Sequence, residues 1–119
     1  MLFRSEQIPY YILGNGSNLL VGDKGYRGVV IQICKRMNEI RTEENKIYAQ
    51  AGALLSKIAA QALSNSLTGF EFASGIPGTL GGAVMMNAGA YGGEMKHVLA
   101  SADLTDTRDR KSTRLNSSH

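Results

Sequence analysis

Apolar and polar positions along the first hundred residues change period several times, and each change marks an element. Tyr10-Tyr11-Ile12-Leu13 is a short apolar run closed by Gly14, and Val29-Val30-Ile31-Gln32-Ile33 is a second, rich in β-branched side chains. Both predict strands. Between them, Asp23-Lys24-Gly25-Tyr26-Arg27-Gly28 is turn-like. Residues 39–42 and 46–51 flank Glu43-Glu44-Asn45, which predicts an antiparallel hairpin with a polar tip. Leu54, Leu55, Ile58, Ala59, Ala62 and Leu63 then recur at helical spacing, with Ser56, Lys57 and Gln61 on the other side, so 54–64 should be an amphipathic helix. Farther on, Pro77 suits the first turn of a short helix that runs to about Met86, packed closely along its glycines. Residues 98–105 alternate loosely, as a strand would. No internal repeat or low-complexity linker interrupts 6–107.

The two ends read differently. Asp109-Arg110-Lys111-Ser112-Thr113-Arg114-Leu115-Asn116-Ser117-Ser118-His119 reads back, codon by codon, into a stretch resembling a widely used short-read sequencing adapter. Leu2-Phe3-Arg4-Ser5 reads back into the other orientation, with Met1 just upstream. Residues 1–5 and 108–119 are therefore expected to be adapter-like translated sequence, outside the domain. This changes the electrostatics. The formal charge of +3 comes from 13 Lys and Arg against 10 Asp and Glu. Setting aside Arg4, Arg108, Arg110, Lys111 and Arg114 with Asp109 leaves a balance of about −1, so the basic pI of 9.2 no longer points to nucleic acid or to an anionic membrane.

The remainder is short enough for at most one domain, and it contains no apolar run long enough to span a bilayer. A single cysteine, Cys34, excludes an internal disulfide framework and a cysteine-rich zinc site; its apolar neighbours make it a packed thiol in preference to a nucleophile. No metal site is expected. Fourteen glycines are the anomaly, gathered in two places. Ordering glycine is entropically costly, so such clusters mark tight turns or close backbone approach.

The first cluster is Gly14-Asn15-Gly16-Ser17-Asn18. A strand followed by Gly-x-Gly suggests a dinucleotide loop, but Leu19 stands where the third glycine is needed, and no Gly-Lys-Ser/Thr makes it a Walker loop. What fits is either a tight turn between two strands or a nest of bare backbone N–H groups for phosphate oxygens. The second cluster, Ser74-Gly75-Ile76-Pro77-Gly78-Thr79-Leu80-Gly81-Gly82-Ala83, is followed by Asn87-Ala88-Gly89-Ala90-Tyr91-Gly92, and two such loops in one small domain suggest a shared ligand.

Together GNGSN, SGIPGTLGGAV and NAGAYGGE resemble, in order and spacing, the UDP-N-acetylenolpyruvoylglucosamine reductase family of bacterial peptidoglycan precursor synthesis. The resemblance covers nearly all of 6–107 but only a minority of a full-length member. It implies an α+β fold, a truncated vanillyl-alcohol-oxidase-like (PCMH-type) FAD-binding domain, with 6–51 part of the first FAD-binding subdomain and 52–107 the start of the second. It also implies a bacterial cytoplasmic enzyme. Gly14, Asn15, Gly16, Ser17 and Asn18 would cradle the FAD pyrophosphate. Ser74, Gly75, Ile76, Pro77, Gly78, Thr79, Gly81, Gly82 and Ala83 would lie along the ribityl chain and isoalloxazine, where main-chain donors near N1 and the C2 carbonyl favour the anionic reduced ring. Gly52 and Gly89 would add further walls, and Tyr91 either lines the substrate side or packs as an ordinary aromatic.

In that family NADPH delivers a hydride to FAD, which passes it to the enolpyruvyl double bond of UDP-N-acetylglucosamine enolpyruvate. An arginine and a glutamate stabilise the resulting carbanion and a serine protonates it, all from segments beyond the NAGAYG stretch. No catalytic residue is therefore expected here, and the segment alone is expected to be inactive. Arg108 sits at the adapter-like seam, Asp103 and Asp106 read as solvated, and His97 beside Lys96 reads as a surface residue more readily than a proton shuttle. Two function classes stay open: part of this reductase, or a flavin-binding module or related flavoprotein oxidoreductase with another substrate. Strands left without their partners predict poor stability for the segment alone.

Overall fold

The computed structural model describes residues 7–105 and 112–116 of the 119-residue chain. Asp106, Arg108 and the adapter-like residues 1–5, 108–111 and 117–119 lie outside them. Among the described residues, eight strands form four two-stranded sheets around two helices, a mixed α+β arrangement.

Strand β1 (Tyr10–Leu13) pairs in parallel with β2 (Val29–Gln32), Leu13 opposite Gln32. Parallel neighbours cannot be joined by a tight turn and need a crossover of a dozen residues or more. Residues 14–28 supply it without regular structure, so GNGSN opens a long crossover and is not a hairpin turn. Strands β3 (Ile40–Glu43) and β4 (Lys46–Ala49) form the predicted hairpin, closed through Glu44 at φ 55°.

Helix α1 (Leu55–Ser64) buries Leu55, Ile58 and Ala62 of the predicted stripe, whereas Leu54 is the N-cap and exposed and Leu63 is 81% exposed on the outer side. No side chain caps its start. Instead the Leu55 amide donates to the Gly78 carbonyl (3.1 Å), so the second glycine-rich loop satisfies the helix terminus. A 3-10 turn, Glu71–Ala73, precedes that loop. Helix α2 (Leu80–Met86) starts three residues later than Pro77 suggests: Pro77 lies in the extended approach, and Thr79, at φ −101° and ψ 161°, is the N-cap. The reason is a β-bridge between Leu54 and Thr79, flanked by Leu80 N–H to Ala53 O and Leu55 N–H to Gly78 O, which holds 78–79 extended. Asn87, in the left-handed region at φ 49°, ends α2.

Leu55, Phe72, Ala73, Ala83 and Met95 form the buried core, with Phe70, Ile76, Leu80, Val84 and Ala88 packed around it. The short strands β5 (Gly89–Ala90) and β6 (Gly93–Glu94) make a hairpin beside this core. A 3-10 turn, Met95–His97, leads to β7 (Ser101–Thr105), which begins later than the alternation at 98–105 suggests. The stretch set aside on sequence grounds contributes β8 (Ser112–Asn116), antiparallel to β7, with Arg114 Nε 2.8 Å from the Asp103 carboxylate. Every residue of β8 is exposed, so it adds nothing to the core. The faces of β1 and β2 are open as well, with Ile12 52% and Val30 49% exposed.

Candidate functional site

The fold brings the two glycine-rich loops together. Ser17 Oγ donates to the Pro77 carbonyl (3.3 Å), and Asn18 Nδ2 lies 2.9 Å from Met86 Sδ on α2. A methyl group on Gly14 would sit 2.5 Å from Thr79 Oγ1, and one on Gly78 would sit 3.2 Å from Ser17 Oγ. Gly14 is thus glycine because the side chain of Thr79, a residue 3% exposed, occupies the space a Cβ would need.

Gly16 has a different reason. Its φ is +78°, where side chains are strained, and nothing lies within 4 Å of the position a Cβ would take. The loop turns here with its backbone open to the outside. Among the described residues, no carbonyl accepts a hydrogen bond from the amides of Asn15, Gly16, Ser17 or Asn18, nor from those of Gly75, Gly78, Thr79 or Gly82. Leu80 and Gly81 at the start of α2 are by contrast paired with the carbonyls of Ala53 and Ala51 (both 2.8 Å). Unspent N–H groups on adjoining, glycine-rich segments are donors of the kind that phosphate oxygens accept from. The donor set therefore fits a ligand bearing phosphate groups, as FAD does.

The other residues singled out in the sequence contact the protein's own core or backbone. Gly52 is buried, and a Cβ there would collide with the carbonyls of Cys34 and Met37, the second of which accepts from the Gly52 amide at 2.7 Å. Cys34 itself is half-buried. Ala83 points into the core and Ile76 packs against it, while Ser74 donates to Glu71 O (2.9 Å). Gly81 lies against Ala51. Gly89 is glycine because the carbonyl of Gly93 across the β5–β6 hairpin approaches to 2.6 Å of its Cβ position.

At the tip of that hairpin Tyr91 is 97% exposed at φ 51°, unpacked, beside a shallow concavity lined by Gly69, Glu71 and Phe72. The hairpin is tied to α2 through Asn87, whose Nδ2 donates to Glu94 (2.7 Å) and whose Oδ1 accepts from the Lys96 amide (2.9 Å). The Lys96 ammonium, 3.2 Å from Glu94, holds that carboxyl below the usual carboxylate range, with Asn87 and the nearby His97 adding to the effect and partial desolvation opposing it. His97 is an exposed partner of Glu94, its Nδ1 accepting from the Glu94 amide (3.3 Å). Asp103 is likewise exposed and paired with Arg114, which lowers its pKa. The described residues contain no group of three or more His, Cys, Asp and Glu placed to hold a metal.

Two residues outside the glycine-rich stretches also touch the site. Gln32, at the end of β2, donates from Nε2 to the Gly14 carbonyl (3.1 Å), and Met86 accepts from Asn18. Gln32 carried one signal in the sequence, a polar side chain inside an apolar strand run. Its use depends on the parallel register that sets it opposite Leu13, which the sequence does not display.

Known proteins match this arrangement. A model of the FAD binding domain family matches residues 2–111. UDP-N-acetylenolpyruvoylglucosamine reductase of Alkaliphilus oremlandii is 56% identical over 103 residues, and that of Caldanaerobacter subterraneus subsp. tengcongensis 61% identical over 103; each alignment covers 87% of this chain and 34% of the relative. The crystal structure of UDP-N-acetylenolpyruvylglucosamine reductase from Thermus caldophilus superposes with a TM-score of 0.79 at 36% identity, covering 97% of this chain and 41% of that one. The chain thus spans about a third of the length of the curated relatives it matches. With unspent amides on two adjoining glycine-rich loops and a family match over most of its length, the chain belongs to the FAD binding domain family.

Proposed function

We propose that this chain is the flavin-holding part of an NADPH-dependent UDP-N-acetylenolpyruvoylglucosamine reductase, acting in peptidoglycan precursor synthesis in the bacterial cytoplasm. Residues 6–51 belong to its first FAD-binding subdomain and 52–107 begin the second, with 1–5 and 108–119 outside the domain. The observation that carries this reading is the convergence of Gly14–Asn18 on Pro77–Thr79, with unspent amides on both. The identity of 56–61% to reductases across the same segment supports the substrate.

FAD, when bound, supplies two-electron transfer between NADPH and the enolpyruvyl group. This chain's residues bind and orient it. The amides of Asn15 to Asn18 would hold the diphosphate with backbone dipoles and no lysine, and Gly16 would keep the approach bare. The main chain of 74–83 would lie along the flat ring, with Gly75, Gly78, Thr79 and Gly82 as available donors. Tyr91, exposed at its hairpin tip, would line the substrate side. No helix among the described residues is long and apolar enough to cross a membrane.

The test is a chimera in which 6–107 replaces the matching third of the Alkaliphilus oremlandii relative. It should retain FAD and oxidise NADPH only when UDP-N-acetylglucosamine enolpyruvate is present, while the 119-residue chain alone should not turn over. A chimera that holds FAD but ignores this substrate would leave a flavin-binding domain and overturn the reductase assignment.

A further inference from the structure

We infer that Gln32 is a positioning residue for diphosphate recognition, setting the direction of the first amide of the Gly14–Asn18 loop. The inference rests on the FAD reading above. Strand β1 ends at Leu13, whose carbonyl accepts from the Ile33 amide at 2.8 Å. One residue later the backbone of β2 no longer follows, and the Gln32 side chain takes over, donating Nε2 to the Gly14 carbonyl at 3.1 Å. The ladder is thus extended by one rung, made by a side chain.

That rung fixes a peptide plane. In a trans peptide the C=O and the following N–H point in opposite directions, and no peptide bond among the described residues is cis. With the Gly14 carbonyl drawn toward β2, the Asn15 N–H is directed away from it, and that N–H has no carbonyl partner among the described residues. Both groups flanking this peptide restrict its freedom. On one side Gly14 packs against Thr79 Oγ1, and on the other Gly16 turns at φ +78°. Without Gln32 the Gly14–Asn15 plane loses its one side-chain hydrogen bond and is held by those two flanks alone, so the Asn15 donor is less firmly aimed. Gln32 is exposed and contributes nothing to the core, so its hydrogen bond serves the loop and not the packing.

The test uses the chimera with Gln32→Leu and Gln32→Glu, titrated separately with FAD and with riboflavin, which lacks phosphate. Loss of one hydrogen bond should weaken FAD binding roughly three- to tenfold in Gln32→Leu, with riboflavin binding and the melting temperature unchanged. Gln32→Glu should weaken FAD further, because it removes the donor and adds negative charge beside the loop, and Gln32→Asn, one methylene short, should not restore it. Unchanged FAD affinity in Gln32→Leu overturns the inference, as does an equal loss for FAD and riboflavin, which would mark a general structural role. A parent chimera that binds neither flavin overturns the FAD reading itself, a result distinct from either.

Discussion

Replacing Gly16 by valine separates backbone geometry from packing, because no atom lies within 4 Å of where the new Cβ would go. The substitution meets no wall, so its cost is conformational. Gly16 sits at φ +78°, and a left-handed conformation costs an ordinary L-residue about 1–2 kcal/mol, with β-branched side chains at the unfavourable end. The loop relieves this strain by leaving the shape that presents the Asn15 to Asn18 amides. Binding must then restore that shape against the strain, so FAD affinity should fall by roughly 5- to 30-fold, since each 1.4 kcal/mol or so is tenfold. Asparagine tolerates the left-handed region, so Gly16→Asn should recover most of the loss. Flavin fluorescence titration of the chimera, with a thermal melt as control, reads both. Unchanged flavin content in Gly16→Val would refute the loop assignment. A Gly16→Asn variant as weak as Gly16→Val would refute the strain explanation.

Other positions give independent outcomes. Leu55→Ala, at a fully buried position, should cost about 2–5 kcal/mol in urea denaturation of the chimera. Gly93→Ala would place a methyl 2.7 Å from the Phe72 ring and should destabilise by about 1–3 kcal/mol, loosening the Tyr91 hairpin without touching the Gly14–Asn18 loop. Glu94 has a folded pKa below its ordinary value of 4.5, so its pairing with Lys96 stabilises above the unfolded carboxylate pKa and is lost as pH falls through the folded value. Hydrogen-exchange protection factors across the β5–β6 hairpin, corrected for the intrinsic rate, should fall in that acid range, and Glu94→Gln should flatten the dependence. Removal of 108–119 from the chain should leave its FAD affinity unchanged, because β8 is wholly exposed and its Arg114–Asp103 pair is a surface contact of small worth; a large loss would make the tail part of the domain.

Much of the local structure was legible because local chemistry decides it. Val29, Val30 and Ile31 are β-branched and form β2, the Glu44-Asn45 tip closes a hairpin, and the Leu55, Ile58, Ala62 stripe is the buried face of α1. What the sequence hid depends on distant partners. Pro77 suits a helix start, yet the Leu54–Thr79 bridge keeps that segment extended until Leu80. The parallel pairing of β1 with β2, which turns the glycine loop into a crossover, is a long-range choice with no local mark. The glycines show the same limit. Gly16 is open to the outside, Gly52 is pressed between two carbonyls, and Gly89 accommodates a facing strand. A string of letters does not distinguish a glycine kept bare for a ligand from one squeezed by the protein's own backbone. Gln32 escaped notice because its partner, the Gly14 carbonyl, is a main-chain atom across a sheet.

The central claim is that the two converging glycine-rich loops hold FAD, and a titration of the folded chimera and its Gly16→Val and Gln32→Leu variants with FAD tests it most directly. Saturable binding of one FAD per chain, weakened in both variants while their melting temperatures stay near the parent's, is the predicted result. A folded parent that does not saturate with FAD, or variants that bind it as tightly as the parent, would contradict the claim.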